Sequence, residues 1–358
     1  MNIDIDVLLK RTVDRGASDL HLRVPSRPIL RVDGTMFIQE DLPAVTADYL
    51  NEIFNRITTP EQRSTFYRDL ELDFAYSLTG VSRFRVSVLR QRGTLSFAFR
   101  QVPFKIPKME DLGLPQICKK LILKPRGMIL VTGPTGSGKS TTLAAMIDYL
   151  NHHEARNVIT IEDPIEYLYS NNMCITAQRE LGDDTRSFSA ALIHALRHDP
   201  DVILVGEMRD LDTISVAIQA AETGHLVLST LHTVDASQTC DRLIDVFPPN
   251  QQQQVRLQFA QCMEGILSQA LLPRASGKGR VAAFEILTGV PAARNLIREG
   301  QTHKLPSVME LGGKEGMITL NQALADLVRK GTVTMEEAIM KSSNPEQLRK
   351  VLAATAVR

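Results

Sequence analysis

Tryptophan is missing from this 358-residue chain, and aromatic residues make up only 5% of it. Lysines and arginines number 41, aspartates and glutamates also 41, so the net charge is zero with histidine neutral. Motors that track nucleic acid combine a basic excess with aromatic stacking platforms, and both shortages argue against that class while leaving a local basic patch open. Only four cysteines occur, Cys118, Cys174, Cys240 and Cys262, none in a C-x-x-C pair. That spacing speaks against a zinc site and a disulfide framework and suits a reducing cytoplasm. No apolar run approaches the ~20 residues that a membrane span needs. The N-terminal MNIDIDVLLKR alternates acids with aliphatics and lacks the basic start of a signal peptide. Any membrane association is therefore expected through a partner.

What is present is a chain of ordinary globular composition, 43% hydrophobic and 23% charged, long enough for two cores. Its most informative segment is Gly133-Pro134-Thr135-Gly136-Ser137-Gly138-Lys139-Ser140, which fits G-x-x-x-x-G-K-[ST]. Before it runs Met128-Ile129-Leu130-Val131, a short apolar stretch that reads as a buried parallel strand. After it, Leu143, Met146, Ile147 and Leu150 recur at helical spacing. Strand, glycine-rich loop and helix together make a phosphate site: main-chain N–H groups turn inward and the helix offers its positive end. Lys139 is expected to reach the β- and γ-phosphates of ATP, and Ser140 to ligate Mg²⁺, with Thr141 completing the nucleotide contacts.

The arrangement along the chain predicts a mixed α/β fold of two domains. Residues 1–100 read as a separate α/β domain, in which a helix begins near Ile3, Val7 and Leu8. Strands are expected at 18–22 and 29–34, and helices at 46–56 and 60–67. Two later strands alternate cleanly, Phe84, Val86 and Val88 against Arg83, Arg85 and Ser87, and Leu95, Phe97 and Phe99 against Ser96, Ala98 and Arg100. Residues 101–112, with two prolines and no clean period, read as a hinge linker. From 113 to 290 strands and helices alternate as in a parallel sheet, with strands at 128–132, 158–162, 202–206 and 226–230. The stretch after Asn250 reads as one long helix with Val255, Phe259, Cys262, Met263, Ile266 and Ala270 on a stripe, ended by Pro273. Residues 291–358 read as helical, with starts at Thr334 and at Asn344-Pro345.

ATP hydrolysis needs groups that orient water and cations that neutralise developing charge. Two acidic clusters end predicted strands, on the edge where such sheets bind ligands. Glu162-Asp163-Pro164-Ile165-Glu166 is one. The other is Val202-Ile203-Leu204-Val205-Gly206-Glu207, where Gly206 stands in the place many P-loop proteins give to Asp. Glu207 would serve Mg²⁺ through water or position the nucleophile, although a carboxylate there could also cap the next helix. Glu166 is a second catalytic candidate, and Glu162 and Asp163 are candidates for the metal. His232 ends another apolar strand on the same edge and could sense the γ-phosphate, while His225 lies at that strand's other end. Arg83, Arg85, Arg90 and Arg100 sit just before the hinge, where domain closure could deliver a guanidinium to the phosphates.

The P-loop, Ile159–Tyr167, Asp199–Asp210 and Thr223–Thr233 resemble, in order and spacing, the Walker A, Asp, Walker B and His boxes of the secretion ATPase superfamily. Within it the chain is similar to PilT-type retraction ATPases of type IV pili. Ala17–Leu22 and Ile29–Gly34 resemble their PAS-like N-terminal domain. Gly279–Leu287 and Ala292–Ser307 resemble their C-terminal signature, in which Ala293 here replaces an isoleucine, leaving Leu296 and Ile297 to pack. The resemblance implies a RecA-like ATPase core from 113 to 290, with a helical extension after it. It implies a homohexamer peripheral to the cytoplasmic face of the inner membrane, working on a platform protein of the pilus, with no nucleic acid involved. It further implies that ATP lies between the N-terminal domain of one subunit and the C-terminal domain of the next. There Glu166 and Glu207 act as catalytic carboxylates, His232 stands beside them, and the arginines at 83–100 complete the site. An assembly or secretion ATPase is the alternative, and a nucleic-acid motor a more distant one.

Overall fold

In a computed structural model the chain is described over residues 3–103 and 105–354. Phe104 of the expected linker and the ends of the two terminal regions lie outside the described residues. The contacts divide the chain into two units, Met1–Lys105 with Glu166–Leu168, and Ile106–Ile165 with Tyr169–Arg358.

The first unit begins with α1 (Ile5–Asp14), whose N-cap Asp4 accepts a bond from the Asp6 amide. Ile5, Leu8, Leu9 and Thr12 form its buried face, while Val7 is 58% exposed and does not belong to it. The strands are β1 (Asp19–Arg23), β2 (Ile29–Val32), β3 (Thr35–Ile38), β4 (Glu71–Leu78), β5 (Ser82–Gln91) and β6 (Thr94–Val102). They form an antiparallel sheet in the order β3-β2-β1-β6-β5-β4. Two helices, α2 (Ala47–Ile57) and α3 (Pro60–Asp69), start on threonine caps, and Thr59 with Gln62 forms a full capping box. Leu20, Leu22, Phe84, Val86, Phe97 and Phe99 pack with Leu8, Leu50 and Phe54 in one core. Alternation therefore sends Arg83, Arg85 and Arg100 to the opposite face.

The second unit holds α4 (Ile117–Ile122), β7 (Gly127–Thr132), α5 (Lys139–Asn151), β8 (Asn157–Glu162), β9 (Ile175–Glu180), α6 (Phe188–Ala195), β10 (Val202–Val205), α7 (Leu211–Glu222), β11 (Leu226–Leu231) and α8 (Ala236–Asp245). There follow α9 (Pro249–Cys262), β12 (Met263–Pro273), β13 (Arg280–Thr288), α10 (Pro291–Arg298), α11 (Leu305–Leu311), α12 (Leu320–Arg329), α13 (Met335–Lys341) and α14 (Pro345–Ala354). The sheet order is β13-β12-β7-β11-β10-β8-β9, parallel throughout except for the β12–β13 hairpin. β7, β10 and β11 are buried along their whole length, as strands covered on both faces must be.

One expected element is corrected here. The helix after Asn250 stops at Cys262, and Met263–Pro273 is strand β12, paired with both β7 and β13. Most of the strand is buried on both faces, so a helical stripe can be drawn through its apolar residues by chance. The helix end is closed by Arg294, whose Nη1 donates to the carbonyl of Ala260 at 3.0 Å and to that of Gln261. On the neighbouring C-terminal signature Ala293 and Ile297 are fully buried, and Leu296 packs beside them. A smaller cluster, Leu324, Ala325, Val333, Ala338 and Leu348, joins α12–α14 to Leu272 and Ala283 of the hairpin.

Candidate active site

The parallel register lines up three strand ends: Ser229 of β11 lies beside Val205 of β10, and Leu231 beside Thr132 of β7. Just beyond them stand Gly206-Glu207, His232-Thr233 and the loop Gly133–Gly138. Hydroxyls staple the edge, Ser229 to the carbonyl of Val205 at 2.7 Å and Thr230 to that of Gly206 at 2.6 Å. Packing around position 206 is also close. A Cβ there would come within 3.2 Å of the Ile161 carbonyl on the adjoining strand.

Four charged or titratable groups meet on this edge in a chain. Lys139 Nζ donates to the carbonyls of Gly133 at 2.9 Å and Pro134 at 3.2 Å, and lies 3.4 Å from His232 Nδ1. On the other side of the ring, His232 Nε2 lies 3.1 Å from Glu207 Oε1. Glu207 Oε2 takes a 2.6 Å bond from Arg209. Burial pushes the Lys139 ammonium below its ordinary value, with Glu207 partly restoring it. Burial acts to raise Glu207, but the Arg209 bond and the charges of His232 and Arg209 outweigh it and hold that carboxyl low. Beside Glu207, a cavity of about 340 Å³ is lined by Met208, Arg209, His232 and Arg242. Arg209 was not singled out in the sequence, although a cation two residues after the strand-end carboxylate was there to be seen.

The loop suits a phosphate. Gly136 and Gly138 have positive φ, a conformation that lets successive amides converge. Ser137 is buried, and its Oγ has no hydrogen-bond partner among the described residues. Pro134, Thr135, Gly136 and Ser140 are exposed around it, so the cradle is open. Thr141 is half-buried on α5. Among the described residues no group of three or more His, Cys, Asp or Glu is set to hold a metal ion.

The remaining candidates stand outside this linked set. Glu162 is buried at the end of β8, where its Oε1 accepts from Thr160 of the same strand at 2.6 Å and from Gln178 of β9 at 3.1 Å, the second bond tying β8 to β9. Asp163 is exposed beside it. Glu166 is exposed and belongs to the segment that groups with the first unit. In that unit Arg85 stands directly opposite Arg100, with Arg83 two residues along the same face. Arg100 is tied to Asp19 at 2.9 Å, and Arg83 lies 3.5 Å from the Ser77 hydroxyl. The side chain of Arg85 is exposed and makes no hydrogen bond or ion pair among the described residues. Arg90 is not brought to this cluster: it lies at the turn end of β5, opposite Leu95, on the other parity of the strand. His225 bonds to the Ala220 carbonyl at 2.9 Å, at the far end of β11 from the loop.

A parallel sheet with a lysine-bearing glycine loop after one strand and a carboxylate after a neighbouring one defines a P-loop ATPase. Comparison with known proteins narrows the class. The chain belongs to the type II/IV secretion system protein family, whose model matches residues 2–350. It is 46% identical to the type IV pilus retraction ATPase PilT of Pseudomonas aeruginosa over 96% of this chain and 99% of that protein. It is 45% identical to a twitching motility protein of Neisseria gonorrhoeae, over 90% of this chain and 86% of that one. A crystal structure of the pilus retraction motor PilT with bound ADP superposes with a TM-score of 0.89, at 44% identity, over 98% of this chain and 100% of that one.

Proposed function

We propose that this chain is the ATP-hydrolysing subunit of a ring-shaped motor that retracts type IV pili and so powers twitching motility. The observation that carries this reading is the linked set Lys139, His232, Glu207 and Arg209 at adjoining strand ends, in a chain so similar to PilT over nearly its whole length. ATP enters at Gly133–Ser140, and Lys139 exchanges its two carbonyl partners for the β- and γ-phosphates. Glu207 orients the attacking water, His232 reports the γ-phosphate to it, and Glu166 is the second carboxylate. Mg²⁺ would be held by Ser140 and, through water, by Glu207, with Glu162 and Asp163 nearby, and would neutralise phosphate charge. The arginines of β5 and β6 contact the phosphates from the N-terminal domain of an adjoining subunit in a homohexamer. Residues 101–112 act as the hinge, since only contacts that differ between ATP and ADP can move it.

Among the described residues no helix is long and apolar enough to cross a membrane. In this reading the ring sits at the cytoplasmic face of the inner membrane and acts through a platform protein of the pilus. Deletion of the gene with a count of surface filaments tests the direction of work. Excess pili with lost twitching support retraction, whereas bald cells would reassign the chain to pilus assembly.

A further inference from the structure

Gln269 lies on β12, far in sequence from every motif that marks the phosphate loop. It is only 5% exposed, and its carboxamide reaches that loop. Nε2 donates to the Ser137 carbonyl at 2.6 Å. Oε1 accepts from the Thr142 hydroxyl at 2.8 Å. One side chain thus joins the tip of the loop to the first turn of α5, the two elements between which a phosphate must settle. In a trans peptide the C=O and the following N–H point opposite ways. Drawing the Ser137 carbonyl toward Gln269 therefore turns the Gly138 N–H away from Gln269.

The loop glycines make room for this brace. A Cβ on Gly138 would stand 2.9 Å from Gln269 Nε2. Gly133, at φ +142, would drive a Cβ into the main-chain carbonyl of Gln269 and to 2.7 Å from Ser137 Oγ. Gly133 is thus required by the main chain of the strand behind the loop, independently of any phosphate in front, whereas at Gly138 the neighbour is the end of the Gln269 side chain and the φ of +93 is what favours glycine. Next to it, Thr132 Oγ1 donates to Ser268 Oγ at 2.9 Å, so two successive β12 side chains grip the end of β7 and the loop.

We propose that Gln269 is a positioning residue for ATP binding: it fixes the Ser137–Gly138 peptide and the start of α5 so that the loop meets the phosphates already formed. The proposal rests on the reading that Gly133–Ser140 holds the nucleotide. A preorganised loop pays less ordering cost on binding, so its loss shows in affinity before it shows in turnover.

The test measures ADP affinity by calorimetry, and KM and kcat for ATP, in the full-length protein. Gln269→Leu keeps the volume and removes both bonds. It is expected to weaken ADP binding and raise KM about tenfold, as for the loss of one or two buried hydrogen bonds, with a smaller change in kcat. Thr142→Val removes only the hydroxyl bond and should weaken ADP several-fold, while Thr142→Ser, which keeps the hydroxyl, should restore it. Packing alone would not give that rescue. Gln269→Leu with wild-type ADP affinity overturns the proposal. If that variant does not fold, Thr142→Val binding ADP as tightly as Thr142→Ser overturns it instead. Lys139→Ala separates the two readings. If it still binds ADP normally, the loop itself is misassigned, whereas its failure to bind beside unaffected Gln269 and Thr142 variants sinks only the brace.

Discussion

Glu207 is approached from two sides, by Arg209 at 2.6 Å and by the His232 ring at 3.1 Å. Lys139 is likewise held by two main-chain carbonyls. Lys139 and Glu207 are thus both satisfied by neighbours, so entry of phosphate exchanges their partners and does not expose bare charge. This separates what two substitutions should do. Glu207→Gln keeps the shape but removes the negative charge and one of the two acceptor oxygens, so turnover should fall by about 10²–10³ while ADP binding stays close to normal. Lys139→Ala removes the phosphate's cation, so binding itself should weaken. Single-turnover assays beside ADP titrations distinguish them. Normal turnover in Glu207→Gln would mean that another carboxylate, with Glu166 the first to examine, orients the water.

At the scale of elements, the β12–β13 hairpin links the nucleotide edge to the C-terminal helices. Glu285 on β13 is buried, and its Oε1 accepts from the Ala236 amide, the first residue of α8, at 2.8 Å. It also takes a bond from the amide of Leu320, the first residue of α12. Burial raises its pKa from 4.5 to about 7, and the two amides only partly oppose that. A carboxyl raised on folding adds stability below its unfolded pKa and loses it as pH climbs through the folded one. Wild-type stability should therefore drop between about pH 5 and pH 8 by up to about 3 kcal/mol relative to Glu285→Gln, which carries no titrating proton there. Melting curves for the pair across that range check this, and parallel curves would show that Glu285 does not titrate in the fold.

The same elements show what could be read from the chain and what could not. β7, β10 and β11 and the loop after β7 were legible, because apolar runs bounded by glycine and carboxylate have few other readings. β12 was not, because a strand buried on both faces shows no alternation. With β12 misread as helix, Gln269 could not be recognised as facing the phosphate loop. The edge strands β3 and β9 escaped for the opposite reason: they are short, and β9 is largely polar. Of the arginines, period-two alternation placed Arg83, Arg85 and Arg100 on one face, and the same alternation, applied one residue further, removes Arg90 from it.

For the whole molecule, the proposal that a neighbour's arginine completes each site makes a prediction no single subunit can satisfy. Arg85 is the best probe, being exposed and unpaired among the described residues, whereas Arg100 is tied to Asp19 at 2.9 Å and its loss would also disturb β1. Lys139→Ala and Arg85→Ala should each be nearly inactive alone. Mixed in equal amounts and allowed to exchange, they would form rings in which about one seam in four joins an intact P-loop to an intact arginine, since each half is sound in about half of the subunits. ATPase activity should then return to about a quarter of the wild-type level at equal total protein, and stay absent if each variant is cross-linked before mixing so that exchange is blocked. If the arginine serves the nucleotide of its own chain, every site in the mixture carries one of the two defects. No activity would then return, and the seam between subunits would have to be replaced by a site closed within each subunit.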